Sequence, residues 1–183
     1  METVLPEGLL FQPEFVSEAE ERDLLAAIEQ IEFREIRMHG VVARRTSAHF
    51  GLDYDYETFK LTPAEPQPPA LDPLRARSAA LVGLRPGQLE ETLVQRYPPG
   101  ASIGWHRDAP AFGTVVGVSL LSVCRMRFQR GSGQARQVAA LDLPPRSVYV
   151  LDGPARAAWQ HTISPTRALR YSITFRTLRK RTR

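Results

Sequence analysis

Three residues carry the first hint of chemistry. His106 and Asp108 stand one residue apart in WHRD, and His161 follows much later in WQHTISP. On extended backbone, residues i and i+2 project to the same side, so the imidazole and carboxylate of WHRD can converge on one ion. A second short β-like segment can bring His161 to them. Two imidazoles and one carboxylate form the facial triad that holds non-haem iron(II) and leaves coordination positions open. The His-x-Asp spacing alone is a weak signal, because such pairs recur by chance and mostly make ordinary hydrogen bonds. Arg170 strengthens it. This arginine stands nine residues after His161, in RALRYSITFRTLR. A strand-borne guanidinium there can pair bidentately with a dicarboxylate, and its charge does not titrate. His39 and His49 have no acidic partner at ligand spacing and are read as non-ligands.

Elements able to position these residues can be read along the chain. Ser17-Glu18-Ala19-Glu20 has the capping-box pattern, and Leu24, Leu25, Ile28 and Ile31 follow at helical spacing, predicting an amphipathic helix over about 17–31. The proline-rich LTPAEPQPPALDPL reads as a surface loop leading into a helix near 75–84. From Glu90 onward, ETLVQRY, TVVGVSLL, VCRMRFQR, SVYVLDG and YSITFRTL form a series of short strands. The turns between them carry PPG, GSG, PPRS and DGP. Such punctuation argues a sandwich or jelly roll, with helices contributed by the N-terminal part.

The 183 residues suit one domain, and no apolar run approaches bilayer length. The N-terminus lacks the basic cluster of a secretory signal, and the lone Cys124 fits a reducing compartment, so a cytoplasmic location is expected. Cys124 lies in LLSVCRMRF and reads as a small core residue. The net charge is +4, and all but Lys60 and Lys180 of the 24 basic residues are arginines. Arginine suits phosphate and carboxylate. The basic tail RTLRKRTR can reach a phosphate backbone, yet such tails are usually solvated.

In combination, QRYPPGASIGWHRD, GVSLL, WQHTISP and RYSITFR resemble the AlkB family of 2-oxoglutarate/Fe(II) dioxygenases, over about 44–176. Arg170 and Arg176 stand six apart, as the family motif has them. The resemblance implies an α+β fold with a double-stranded β-helix (jelly roll) core at about 90–178, after a helical part and substrate lid at about 1–89. It implies Fe(II) on His106, Asp108 and His161, with 2-oxoglutarate as co-substrate and O2. Arg170 would then clamp the distal carboxylate, and Arg176 would serve the carboxylate near the metal or shape the pocket. Tyr97 matches the family tyrosine that hydrogen-bonds the co-substrate. Gln95 and Ser172 stand where the family usually carries Asn, and both can still hydrogen-bond.

ARRTSAHFGLDYDYE resembles the family's nucleotide-recognition lid. There Arg44 and Arg45 would grip phosphates, Tyr54 or Tyr56 would stack on a base, and Trp105 would line the same mouth. Aromatics in such a segment serve equally to pin a loop to the core. The implied reaction is oxidative demethylation of alkylated bases in DNA or RNA, as in DNA repair, by a monomer without a membrane partner. Two alternatives stand beside it: the same chemistry on a protein or small molecule, and a non-catalytic nucleic-acid-binding module on the same fold.

Overall fold

A computed structural model describes residues 5–38 and 40–179. His39 and the end of the basic tail from Lys180 therefore lie outside the described residues. The chain runs β1 (Leu9–Gln12), α1 (Glu18–Ile28), β2 (Arg34–Met38), β3 (Val41–Phe50), β4 (Leu52–Tyr54), β5 (Leu61–Pro63), α2 (Asp72–Leu81), β6 (Glu91–Tyr97), β7 (Ile103–His106) and β8 (Phe112–Leu120). It continues with β9 (Cys124–Arg130), β10 (Gln137–Leu143), β11 (Val148–Leu151), α3 (Gly153–Ala157), β12 (Gln160–Ile163) and β13 (Arg170–Leu178).

The capping box is present: the Ser17 hydroxyl accepts from the Glu20 amide and the Glu20 carboxylate accepts from the Ser17 amide. α1 is shorter than its apolar pattern, because the amides of Gln30 and Ile31 bond back three residues and tighten the last turn. α2 begins three residues earlier than predicted. Pro73 occupies its first turn, where a missing N–H costs nothing.

Two antiparallel sheets make the jelly-roll core. The larger has the order β1-β11-β8-β13-β6-β3-β2, and the smaller β10-β9-β12-β7. β4 and β5 form a separate hairpin. The N-terminal part carries α1 and α2. It also supplies β1 to one edge of the larger sheet and the β2–β3 pair to the other. β3 reads as VVARRTSAHF, whose half-polar character conceals a strand whose second half pairs with β6 from Thr46 to Phe50.

β13 shows how the layers meet. Its residues Tyr171, Ile173 and Phe175 join Leu24, Ile28, Leu71 and Leu74 of the helical layer in one apolar core. The alternate residues Arg170, Ser172, Thr174 and Arg176 face the space between the sheets, and they too are buried. A strand with one polar face inside is not an amphipathic surface strand, despite its alternation. A second apolar cluster, with Met126, Phe128, Ile163, Trp159 and Cys124, fills the rest of the inter-sheet space. Cys124 is buried there, as a small core residue.

Gly117 of β8 sits directly opposite Tyr149 of β11, and the Tyr149 ring lies across it. Any side chain at 117 would overlap that ring. Gly117→Ala should therefore destabilise the fold by about 1–3 kcal/mol in chemical denaturation, as overpacking does. An unchanged unfolding midpoint would contradict this packing.

Candidate active site

β7 and β12 pair so that His106 lies directly opposite His161. Opposed residues share a sheet face, so both imidazoles project between the sheets. Their ring centroids are 4.2 Å apart. The Gly104 carbonyl lies 2.9 Å from His106 Nδ1. A carbonyl can only accept, so it takes the Nδ1 proton and leaves Nε2 free inward.

Asp108 reaches the pair differently from the strand geometry expected. β7 ends at His106, and Asp108 belongs to the turn that follows. Its Oδ1 lies 3.5 Å from His106 Nε2 and 3.7 Å from His161 Nε2. One donor atom from each of the three residues lies within 4.8 Å of the others, a separation that fits ligands of a single ion.

The electrostatics suit metal binding. Burial raises the Asp108 carboxyl, but the two imidazoles and Arg176 outweigh it and hold it well below the usual carboxylate range. Burial pushes His161 down to about 4, and the charge of His106 adds to this. At neutral pH the carboxylate is charged and the His161 imidazole neutral, as metal ligation requires.

The triad opens onto a cavity of about 380 Å³. At its inner end lies Arg170, only 1% exposed. Arg170 Nε donates to Ser119 Oγ at 2.9 Å, and the guanidinium lies 4.8 Å from the centre of the Tyr97 ring. Its Nη1 has no hydrogen-bond partner, and no carboxylate pairs with it among the described residues. Gln95, Tyr97 and Ser172 line the same wall, and the Tyr97 hydroxyl donates to Gln95 Oε1 at 3.0 Å. A buried cation flanked by neutral hydrogen-bonding groups is a seat for a carboxylate.

Arg176 is engaged otherwise. It forms a two-pronged pair with Glu91, directly opposite it on β6, and its Nη2 lies 2.7 Å from Glu91 Oε1. Burial opposes both charges and their attraction prevails, keeping Glu91 low and Arg176 high. His49 Nδ1 lies 3.0 Å from the same Glu91 carboxylate and 3.8 Å from Asp53. Its acidic neighbours are thus supplied by the fold. Arg176 lines the cavity and shapes it, with its charge already compensated.

The cavity gathers every anticipated site residue except one. Arg45, Tyr54, Tyr56 and Trp105 are among its lining residues, and Tyr54 is buried, packed edge-on against Tyr56 and Phe112. Arg44, adjacent on β3, lies instead against Gly100 of the turn after β6. Arg45 Nη1 donates to the Ser102 carbonyl at 3.3 Å, so the two neighbouring guanidiniums reach the same 100–102 turn. The sequence reading missed Glu91, Arg107 and Phe59. Glu91 is legible only through the β6–β13 register. Arg107 stands between the two candidate ligands His106 and Asp108. Phe59, 71% exposed at the tip of the β4–β5 hairpin, lies just past the aromatic segment singled out.

Known proteins resemble this chain to differing extents. The profile described as the 2OG-Fe(II) oxygenase superfamily matches residues 8–176. An Arabidopsis thaliana protein named alkylated DNA repair protein ALKBH8 homolog is 29% identical over 181 residues, covering 85% of this chain and 50% of the relative. The Mus musculus tRNA (carboxymethyluridine(34)-5-O)-methyltransferase ALKBH8 is 31% identical over 173 residues, covering 88% of this chain and 25% of the relative. The chain thus spans half or less of the length of these relatives. Among solved structures, OsALKBH1 gives a TM-score of 0.71 at 16% identity, covering 95% of this chain and 98% of that one. An oxidoreductase of the 2OG-Fe(II) oxygenase family from Burkholderia pseudomallei gives 0.66 at 15% identity, covering 94% and 86%. Likeness at these identities shows the fold.

The Glu91–Arg176 pair yields a stability test. Glu91→Ala would strand a buried guanidinium and should cost about 3–5 kcal/mol in urea unfolding. A loss below about 1 kcal/mol, the worth of an exposed pair, would mean that the pair is hydrated rather than buried.

Proposed function

We propose, from the premise that this chain belongs to the 2OG-Fe(II) oxygenase superfamily and is AlkB-like within it, that it oxidatively dealkylates bases in DNA or RNA. The chain is an iron(II)- and 2-oxoglutarate-dependent dioxygenase. Iron with 2-oxoglutarate and O2 supplies an oxidant for C–H bonds, and the co-substrate is converted to succinate and carbon dioxide. His106, Asp108 and His161 would hold the metal. Arg170 would pair with the distal carboxylate of the co-substrate, beside Tyr97, Gln95 and Ser172. Arg176, fixed by Glu91, would keep the Asp108 carboxylate ionised. An N-methyl group hydroxylated here would break down to formaldehyde and the free base nitrogen.

The observation that carries the substrate reading is the mouth of the cavity. The exposed Phe59 and the part-buried Trp105 stand there with Arg45 and Arg107, backed by Tyr56 and the buried Tyr54 of the cavity wall. Aromatic faces accept an unstacked base and guanidinium groups accept its flanking phosphates. Two relatives, one named an alkylated DNA repair protein homolog and the other a tRNA methyltransferase, support a nucleic-acid substrate. A second reading has one observation in its favour. A groove of about 840 Å³ on the far side of Tyr54 and Tyr56 is lined by Glu32, Glu35, Asp53, Asp55 and Glu65 against Arg34 and Arg37. Such a groove suits a cationic polypeptide better than a polyanion.

With iron(II) and 2-oxoglutarate, an N-methylated oligonucleotide should raise succinate formation and release formaldehyde in step. Asp108→Ala should abolish both while its circular-dichroism spectrum stays that of the parent chain. Succinate stimulated by a lysine- or arginine-methylated peptide, and by no oligonucleotide, would transfer the function to the second reading. Separately, Arg45→Ala should weaken oligonucleotide binding and flatten its salt dependence by about one counterion. A binding slope equal to the parent's would remove Arg45 from the phosphate path.

A further inference from the structure

Arg156 has no part in the functions assigned above. It sits on α3, the short helix between β11 and β12, and is 6% exposed. Its Nε donates to the Gly113 carbonyl at 2.9 Å. Its Nη2 donates to the carbonyls of Ala109 at 2.8 Å and Phe112 at 2.6 Å. The Ala109 carbonyl belongs to the turn after Asp108, and those of Phe112 and Gly113 to the first residues of β8. The turn reads Asp-Ala-Pro-Ala, and Pro110 has no amide to give. The Phe112 amide bonds back to Ala109, closing one turn, and the Arg179 amide donates to Ala111. The guanidinium fills the concave side of this turn with a planar fork of donors.

The position on the chain matters as much as the contacts. Asp108 immediately precedes Ala109, so the Ala109 carbonyl orientation is set one peptide away from the carboxylate-bearing residue. Arg156 itself comes five residues before His161. One side chain therefore ties the turn bearing Asp108 to the helix that leads directly into the strand bearing His161. His106 and His161 need no such help, because their register on β7 and β12 already sets them opposite one another. Asp108 alone lies off the ladder.

We infer that Arg156 is a positioning residue for the metal centre, fixing the turn through the Ala109, Phe112 and Gly113 carbonyls so that the Asp108 carboxylate meets the two imidazoles. The inference rests on the reading of Asp108 as a metal ligand. It predicts that Arg156 acts on metal affinity through the backbone, without touching the ion.

The test titrates Mn2+ into the purified chain, free of co-substrate, by calorimetry. Asp108→Ala serves as reference for the loss of a direct ligand. Arg156→Lys and Arg156→Met should both remain folded at the titration temperature and weaken Mn2+ binding by about tenfold or more, as outer partners of metal ligands do. The lysine, which can reach one carbonyl, should lose less than the methionine. A folded Arg156 variant that binds Mn2+ within twofold of the parent overturns the inference and leaves Arg156 a purely structural staple. A parent chain that binds Mn2+ no better than Asp108→Ala overturns the ligand reading instead. Should the variants not fold, the parent chain decides. Mn2+ should slow amide hydrogen exchange in residues 109–113 and in 153–157 together, and slowing confined to β7 and β12 overturns the inference.

Discussion

A guanidinium taken out of water loses several kcal/mol of hydration, and the loss persists unless another charge or a full set of acceptors meets it. Three arginines in the core of this protein meet that demand in three ways. Arg176 has Glu91. Arg156 has three backbone carbonyls. Arg170 has one serine hydroxyl and the face of a tyrosine, with an Nη1 left unpaired. The first two are closed arrangements that hold the protein together. The third is open on the side of the cavity, and under the proposed function an incoming carboxylate would complete it.

That constraint shapes the layers around it. A strand that carries Arg170 and Arg176 on one face can be central to a sheet only if that face is enclosed without being apolar. β13 achieves this by giving Tyr171, Ile173 and Phe175 to the helix-backed core while its polar residues line a cavity. The smaller sheet closes the other side, and its edge pair β7–β12 places His106 against His161 at the cavity's outer part. The candidate metal donors and the free guanidinium thus share one space, as a co-substrate bearing two carboxylates would require. The β4–β5 hairpin adds Tyr54, buried, and Phe59, exposed, to the cavity lining.

Much of this could be read from the chain. The strands after Glu90 announce themselves by β-branched runs between glycine and proline turns, and the five site residues of the motif by their spacing. What could not be read depends on register and on loop geometry. Glu91 looks like the ordinary polar start of ETLVQRY until β6 is laid beside β13. Asp108 was assigned to the cavity through strand alternation. It arrives there from a turn, held by a side chain some fifty residues away. Arg44 and Arg45 look equivalent as neighbours, and only Arg45 lines the cavity. β3 escaped notice because a strand shared between solvent, a sheet partner and a substrate mouth has no clean period.

The uncompensated Arg170 charge is the claim on which the co-substrate reading rests, and Arg170→Met tests it most directly. Methionine removes the charge and retains much of the buried volume. The measurement is the thermal unfolding midpoint of the parent and variant chains with Mn2+, with and without 2-oxoglutarate. The account predicts that the parent gains stability from 2-oxoglutarate. The variant should gain almost none, while being at least as stable as the parent when the co-substrate is left out. A variant that is markedly less stable alone, yet still stabilised by 2-oxoglutarate as the parent is, would show that Arg170 serves the fold and that the carboxylate is held elsewhere.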